Sequence, residues 1–313
     1  MIFDNLKNTN FDFMGKRKLA LIFSSILILI SLSSLAFRGL NLGLDFTGGT
    51  LIEIGYPETV DITVLRDKLK KGGFASASVQ NFGTSKDVLI RLAPKKGVSE
   101  ADLSSKVLTV VNQDVAVEGE IRRIEFVGSQ VGDELTQDGS LALLYALFGI
   151  LIYVAWRFEY KFSLGSVVAL IHDVIITLGF FSVFGFEFDL TVIAALLAVI
   201  GYSLNDTIVV FDRIRENFRK MRKDNPLNTM NVSINQTLSR TLMTSFTTIL
   251  VVAALAVLGG EIIHNFAIAL LVGVLIGTYS SIFVASAATL ALGVSKEDLM
   301  LPEKEGAEID NRP

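Results

Sequence analysis

Cysteine is absent from this chain, so it forms no disulfide and has no thiol for redox chemistry or metal binding. Histidine is scarce: His172 and His264 lie in different apolar segments, which argues against a zinc site. Charged residues make up only 19% of the chain, and a net charge of -4 leaves no global basic surface for nucleic acid. The sequence also lacks a nucleophile elbow, a Walker motif and metal-ligand spacing. We therefore expect no enzyme, no cofactor and no nucleic-acid partner.

Apolar residues dominate instead. They account for 51% of the chain, and the mean hydropathy of +0.53 lies outside the range of soluble globular proteins. A membrane-spanning helix needs about 20 mostly apolar residues, and six segments have this character: Leu19–Phe37, Ser140–Trp156, Leu164–Phe184, Leu190–Phe211, Thr241–Leu258 and Ile263–Leu292. The first follows basic residues like a secretory signal, but its apolar run of about 19 residues exceeds the usual signal core. We predict an α-helical integral membrane protein with six transmembrane helices.

The short loops predict the orientation. Residues 16–18, 157–161 and 213–240 are rich in Lys and Arg, whereas loops 185–189 and 259–265 carry acidic residues without Lys or Arg. The positive-inside rule then places both termini in the cytoplasm. The predicted order is a cytoplasmic segment (1–18), a first transmembrane helix (19–37), an extracytoplasmic domain (38–139), a five-helix transmembrane bundle (140–292) and a disordered cytoplasmic tail (293–313).

The region between the first two spans reads as a small α+β domain. Strands are predicted at Leu51–Tyr56, Ser76–Phe82, Asp87–Leu92 and Glu120–Val127, and helices at Asp61–Lys71 and Ser99–Val115. This element order suggests a ferredoxin-like arrangement, although the sequence does not fix the order of strands in the sheet. The preceding segment GLDFTGGT, Gly43 to Thr50, lacks the Lys of a phosphate loop and leads into a strand, so we interpret it as a turn and strand entry.

Asp206 is a carboxylate within the fourth apolar segment. At about 1.5 Å rise per residue it lies roughly 25 Å from Asp189 at the outer edge and about 9 Å from Asp212. A charge inside the bilayer costs at least about 2.5–3.5 kcal/mol on insertion scales and usually faces the bundle interior or a hydrated cavity. Because the Asp side chain is short and apolar residues 208–211 follow it, the pattern favours a proton-binding function over a snorkelling boundary residue.

Arg240, at the start of the fifth apolar segment, has two readings that the sequence leaves equal. It is either a topology anchor at the inner boundary or part of a polar helix face that lines a hydrated path or packs closely on another helix. The second reading rests on small hydroxyl residues at helical spacing: Thr237, Thr241, Thr244 and Thr248. Arg240 and Asp206 then lie at similar depth, and we hypothesise an ion pair that breaks on protonation.

Asp173, beside His172 near the centre of the third span, is the most deeply placed carboxylate. It either relays protons or hydrogen-bonds a hydroxyl on a neighbouring helix and holds the bundle together. The sequence favours the structural role, and Thr244 is a second candidate of the same kind. In the last span a small-xxx-small ladder predicts close helix packing without chemistry: Gly273, Gly277 and Ser281.

Several strings together resemble the SecF family of the bacterial Sec protein-export machinery. They are NFDFMGKRK (Asn10–Lys18), GLDFTGGT (Gly43–Thr50), VGDEL (Val131–Leu135), ALIHDVIITLG (Ala169–Gly179), GYSLNDTIVVFDRIREN (Gly201–Asn217), NQTLSRTLMTSFTT (Asn235–Thr248) and NFAIALLVGVLIGTYSSIFVAS (Asn265–Ser286). GLDFTGGT is shared with the sister subunit SecD, but SRTLMTS, GTYSSIFVA and the single outer domain indicate SecF. Ser129 departs from the pattern, because a Pro is expected there.

This resemblance implies a role in the cell inner membrane. The family belongs to the resistance-nodulation-division superfamily of proton-driven transporters, and its members pair with SecD. The implied function is to couple the proton motive force to export of unfolded polypeptide through the SecY-SecE-SecG channel, with SecA and YajC as further partners. The family's essential Asp and Arg fall on Asp206 and Arg240. The outer domain is implied to handle the emerging chain.

Three other functions compete with this one. An exporter of small molecules or lipids from the same superfamily would need a binding cavity in the outer domain. An intramembrane aspartyl protease would use Asp173 and Asp206 as a pair. A passive scaffold for the channel would be indifferent to the ionisation of Asp206.

Overall fold

The computed structural model describes residues 9–93, 100–113, 118–221, 224–295 and 297–299. The predictions for residues 1–8 and 300–313, and for both ends of the helix expected at 99–115, fall outside the described residues. Among those described, six helices are long and apolar enough to cross a membrane, which confirms the predicted number of spans. The first is α1 (Arg17–Phe37).

A small α+β domain follows α1. Strand β1 (Asn41–Leu42) and the one-turn helix α2 (Leu44–Thr47) lead into β2 (Gly49–Gly55), α3 (Ile62–Lys71), β3 (Ser78–Phe82), β4 (Thr84–Leu92), α4 (Glu100–Asn112) and β5 (Glu120–Val127). The sheet order is β3-β4-β2-β5, and all neighbouring strands are antiparallel. From β2 to β5 the elements follow the predicted sequence of strand, helix, strand, strand, helix, strand.

Alternation of side chains along the strands explains why both helices cover one face of this sheet. Every second residue of β2 and β4 points to that face and is fully buried there against leucines and valines of α3 and α4: Ile52, Ile54, Val88 and Ile90. Helix α3 begins at a capping residue, since the Asp61 carboxylate accepts a hydrogen bond of 2.8 Å from the Thr63 amide.

The GLDFTGGT segment is more than a turn and strand entry, because it contains the helical turn α2. The turn ends at a pair of glycines, with φ of 61° at Gly48 and 124° at Gly49, a region that favours glycine. The second spanning helix packs directly on this backbone: a Cβ on Gly132 would lie 3.2 Å from the Gly48 amide nitrogen. The segment is therefore a close-packed junction between the α+β domain and the bundle.

The bundle consists of α1 and five further elements. These are α5 (Ser129–Arg157), α6 (Tyr160–Phe184), α7 (Leu190–Lys220) after the short strand β6 (Glu187–Phe188), α8 (Pro226–Leu258), and α9 (Glu261–Ser280), which continues through a π-helical turn (Ser281–Ala285) into α10 (Ser286–Ala291).

Helices α5, α7 and α8 extend well beyond the predicted apolar segments, because hydropathy identifies only the part of each helix that is apolar enough for the hydrocarbon core of a membrane. Arg240 consequently lies in the middle of α8, not at its start.

The α+β domain is attached to the bundle by more than its two flanking helices. Strand β1 pairs in parallel with β6, and the Gly43 amide donates to the Phe188 carbonyl at 2.7 Å. Arg91 forms an ion pair with Glu187 and donates to the Leu42 carbonyl at 3.0 Å. The loop between α6 and α7 is thus bonded to the base of the outer sheet.

The opposite end of the bundle contains basic residues and both ends of the described part of the chain. Arg157 pairs with Asp212 at 2.7 Å, and Lys161 pairs with Asp298 at 2.7 Å. The disordered tail predicted from residue 293 is wrong for its first part, since Glu297–Leu299 form a 3-10 turn. Val294 and Leu299 are apolar side chains that the sequence pattern did not single out, and both are buried against the bundle.

Candidate functional site

The site forms where α7 and α9 approach most closely. A Cβ on Gly273 would lie 2.1 Å from Val199 Cγ2, and a Cβ on Gly277 would lie 3.0 Å from Ser203 Cβ. One turn further, the Ser281 hydroxyl donates to Asp206 Oδ2 at 3.4 Å. The predicted small-residue ladder is therefore confirmed as a close helix contact, and it also brings a hydroxyl to the carboxylate, which the sequence interpretation did not foresee.

Asp206 is only 4% exposed, within a helix of membrane-spanning length and apolarity. The Thr241 hydroxyl of α8 lies beside it, buried and without a well-formed hydrogen bond of its own. The charge of Arg240 is near enough to act on the carboxylate electrostatically. Among the described ion pairs, none joins Arg240 to Asp206 within 4.0 Å. The structure thus brings the two residues near each other without the direct ion pair hypothesised from the sequence.

The predicted threonine face of α8 divides in two. Thr237 and Thr241 are buried, but Thr244 is exposed and its hydroxyl donates to carbonyls of its own helix, to Arg240 at 3.1 Å and to Thr241 at 2.9 Å. The buried row continues through Ser245, because residues four apart lie above one another on a helix. Ser245 accepts from Tyr202 of α7 at 3.2 Å and lies 2.7 Å from the Thr278 hydroxyl of α9.

Arg240 itself is exposed on α8. The outward face around it carries further polar side chains between apolar ones, at helical spacing: Gln236, Thr244 and Thr247. Because an arginine in contact with lipid is costly, this face of the helix is suited to contact with another protein.

Asp173 belongs to a second buried cluster next to the first. Its Oδ2 accepts hydrogen bonds from Ser203 at 2.5 Å and from Ser280 at 2.7 Å, and its Oδ1 lies 2.8 Å from His172 Nδ1. Since Ser280 precedes Ser281 in the chain, adjacent serines of one helix contact the two carboxylates. Asp173 thus has hydroxyl partners on two other helices, in line with the structural role favoured by the sequence.

Among the described residues, the two carboxylates accept hydrogen bonds from different hydroxyls: Asp173 from Ser203 and Ser280, and Asp206 from Ser281. That part of the chain also contains no group of three or more His, Asp or Glu side chains placed to hold a metal ion.

Glu187, in the loop between α6 and α7, is the ionisable group with the clearest perturbation at the outer junction. Burial raises its pKa above the ordinary value of 4.5, and the neighbouring Arg91 opposes that shift. Nearby Asp189 and Asp45 act in the same direction as burial.

Known proteins similar to this chain agree with this architecture. Residues 107–295 match the family described as protein export membrane protein SecD/SecF, C-terminal, and residues 33–56 match the SecD/SecF GG motif. The chain is 55% identical to the protein translocase subunit SecF of Vibrio alginolyticus over 96% of both chains. It is 47% identical to SecF of Pseudomonas aeruginosa over 99% of this chain and 100% of that one.

A solved structure matches the fold as well. The crystal structure of SecDF, a translocon-associated membrane protein from Thermus thermophilus, superposes with a TM-score of 0.81 at 38% identity. The match covers 91% of this chain but only 39% of the SecDF chain. With six spanning helices and full-length relatives named as translocase subunits, this multi-pass membrane protein belongs to the SecF family of the Sec protein-export pathway.

Proposed function

We propose that this chain couples the proton motive force to export of polypeptide through the Sec translocon, with Asp206 as the proton-binding group and Arg240 as the cation that responds to its charge. Its role in this proposal is mechanical and not enzymatic. The observation that carries it is the position of Asp206: a carboxylate 4% exposed in a membrane-spanning bundle, near an arginine with which it forms no direct ion pair.

The surroundings of Asp206 suit a group that gains and loses a proton. Within the described residues, the Ser281 hydroxyl reaches the carboxylate over a long distance of 3.4 Å, and the Thr241 hydroxyl lies beside it without a well-formed hydrogen bond. A carboxylate that is buried and weakly hydrogen-bonded is stabilised poorly as an anion. Protonation of Asp206 would remove the attraction between its carboxylate and Arg240 and would disrupt few hydrogen bonds.

The exposed face of α8 supports SecD as the partner. Arg240 is exposed on α8 in the isolated chain, next to the apolar segment Thr241–Leu258, and a charged side chain that faces lipid is costly. The matched Thermus thermophilus protein is named SecDF and is longer than this chain. We propose that a SecD subunit covers the α8 face and that the SecY-SecE-SecG channel, SecA and YajC act further along the same assembly.

The proposed orientation places the α+β domain outside the cell inner membrane and both termini in the cytoplasm. Basic side chains and both ends of the described part of the chain lie at the end opposite the sheet, as the positive-inside rule requires of a cytoplasmic face. The βαββαβ order and the β3-β4-β2-β5 sheet support a ferredoxin-like domain spanning about residues 38–128. We assign it contact with the emerging polypeptide.

The coupling is proposed to run in three steps. A proton from outside neutralises Asp206, α8 shifts relative to α7 as the attraction of Arg240 weakens, and the outer domain changes its position through α1, α5 and the β1–β6 contact. Each proton crossing about 100 mV supplies about 2.3 kcal/mol, which is enough to bias a two-state element.

The test is Asp206→Asn in proteoliposomes that contain SecD, the channel and SecA. We expect export to continue on ATP but to lose its stimulation by an imposed proton motive force. The matched control is Asp212→Asn, which removes a carboxylate at the basic end of the same helix, where it pairs with Arg157. Full proton stimulation in Asp206→Asn, or equal loss in both variants, would refute the proposal.

One observation favours the alternative of a small-molecule or lipid exporter. A groove of about 600 Å³ lies between the open face of the outer sheet and the outer loops, lined by residues that include Asn41, Gln80, Arg123, Glu187 and Asn265. Its size falls within the range of ligand sites. Accumulated precursors of exported proteins in a deletion strain would support polypeptide export, whereas normal precursors with altered tolerance to toxic compounds would support the alternative.

A further inference from the structure

A continuous chain of hydrogen bonds leads from Asp173 to the backbone of α1. His172 Nδ1 lies 2.8 Å from Asp173 Oδ1, and His172 Nε2 lies 3.1 Å from the Ser24 hydroxyl. Ser24 lies 3.0 Å from the Tyr279 hydroxyl, which in turn lies 2.7 Å from the Ala20 carbonyl. The chain therefore connects three helices, α6, α1 and α9. The ring and the carboxylate at its head are 3% and 1% exposed.

The last contact sets the direction of the others wherever each contact in the chain is a hydrogen bond. A backbone carbonyl only accepts, so the single proton of Tyr279 goes to Ala20. Where the contact between Ser24 and Tyr279 is a hydrogen bond, the single proton of Ser24 then goes to the Tyr279 oxygen. Ser24 has no further proton for His172 Nε2, so that nitrogen is the donor in their contact. Reversing the order would leave the Tyr279 and Ala20 oxygens 2.7 Å apart with no proton between them.

The same count applies to the first contact. With a proton on Nε2, a neutral imidazole has a bare Nδ1, which would face a bare carboxylate oxygen of Asp173 at 2.8 Å. A proton must therefore lie between these two atoms as well. The pair then holds one proton more than a neutral histidine beside a carboxylate. Because Ser203 and Ser280 both donate to the other oxygen of Asp173, the carboxylate form is favoured and the proton belongs to the ring.

We propose that His172 and Asp173 form a second proton-holding site, an imidazolium–carboxylate pair, and that its proton sets the hydrogen bonds that attach α1 to α6 and α9. The pair is neutral overall, which suits its complete burial. Loss of the proton forces the chain to reverse or to break at Ser24, and α1 is the helix that leads into the outer domain. A proton bound here therefore stabilises the contact between that helix and the bundle.

The site is distinct from Asp206, and the proposal does not depend on the function assigned to that residue. The titratable groups nearest to the pair are Tyr279 on α9 and Asp206, which lies one turn along α7 from Ser203. Helix α1 contributes only the Ser24 hydroxyl and the Ala20 carbonyl to the chain. The protonation of His172 is a property of the resting structure and is measurable without any export assay.

The test is nuclear magnetic resonance of isotope-labelled histidine in the full chain, reconstituted in lipid nanodiscs at neutral pH. The chain has two histidines, so the signal lost in His264→Gln identifies the other as His172. The two ring nitrogens are told apart by their couplings to the ring carbons. We expect a protonated Nε2 and a proton shared at Nδ1. A bare, proton-accepting Nε2 in the unmodified protein would overturn the proposal.

A pair of tyrosine variants tests the reasoning behind it. In Tyr279→Phe the Ser24 hydroxyl is free to donate to Nε2, so we expect the signal of protonated Nε2 to be lost at neutral pH. Tyr202→Phe removes a hydroxyl that bonds Ser245, outside the chain, and should leave His172 protonated. A protonated His172 Nε2 in folded Tyr279→Phe, or loss of that proton in Tyr202→Phe, would contradict the assignment of protons along the hydrogen-bond chain. Asp206→Asn is expected to leave the signal unchanged, which keeps this test separate from that of export.

Discussion

Replacement of Gly273 by alanine tests whether the close approach of α7 and α9 builds the carboxylate site. The added Cβ would lie 2.1 Å from Val199 Cγ2 and 2.5 Å from Cγ1, whereas carbon atoms in favourable contact are about 3.5–4.0 Å apart. Val199 is fully buried, and a β-branched side chain in a helix has one strongly preferred rotamer. The clash is therefore relieved only by separation of the helices, which would lengthen the contact between Ser281 and Asp206.

The expected magnitude follows from two opposing terms. Overpacking costs about 1–3 kcal/mol, and exchange of glycine for alanine within a helix gains at most about 1 kcal/mol. We expect Gly273→Ala to lower the free energy of unfolding by about 1–2 kcal/mol. Gly201→Ala is the matched control on α7, because a Cβ there meets nothing within 4 Å. It should be neutral or stabilising.

The assay is equilibrium unfolding of the purified protein in mixed micelles, combined with the proton-stimulated export assay. Gly273→Ala should reduce both stability and stimulation, and the second change Val199→Ala should restore part of the stability, with a coupling of about 0.5–3 kcal/mol. If Gly273→Ala were as stable as Gly201→Ala, the tight helix contact would not exist in solution and the reasoning would fail.

Three further predictions use other parts of the structure. The raised pKa of Glu187 means that the folded protein binds a proton at this residue more tightly than the unfolded chain does. The resulting contribution to stability is complete below about pH 4.5 and is lost as the pH rises through the folded pKa. Glu187→Gln should therefore flatten this part of the curve of unfolding free energy against pH, and an unchanged curve would contradict the assignment. Asn235→Ala removes paired hydrogen bonds of 2.9 Å to the amide and carbonyl of Phe11, and we expect a loss of about 1–3 kcal/mol together with faster proteolysis of the N-terminal segment. Arg240→Lys keeps the charge and should retain part of the proton stimulation of export, whereas Arg240→Ala should abolish it. Equal stimulation in the two variants would refute an electrostatic role of Arg240.

Much of the fold could be predicted from the sequence, because it depends on local patterns. Long apolar runs identify six spans, and alternation in segments such as Leu51–Tyr56 identifies strands of the outer domain. The length of α8 could not be predicted, since its first half is polar enough to resemble a loop and is held by contacts with distant residues such as Phe11. The folded start of the tail was missed for the same reason: its ion pair between Lys161 and Asp298 joins residues far apart in sequence.

The candidate site was only partly visible in the sequence. Asp206 stands out in the sequence because a carboxylate within an apolar run is energetically costly, whatever residues surround it in the fold. The sequence pattern around Ser281 indicates only packing. Its bond to Asp206 depends on the register between α7 and α9, and the register between two helices produces no periodic pattern in the sequence. The role of Ser24 could not be predicted for a similar reason. A single serine in an apolar helix has no recognisable pattern, and only the structure shows its contact with the His172 ring.

The π-helical turn at Ser281–Ala285 begins at the second of the two serines that contact the buried carboxylates, Ser280 and Ser281. A turn of this kind holds one residue more than an α-helical turn and is frequent at functional sites. Relaxation to α-helical geometry would therefore rotate one flank of the helix against the other by about 100° and slide it by about 1.5 Å. If the flank that carries the serines moved, both hydroxyls would leave their acceptors together, so the backbone of this one helix links the two acidic positions.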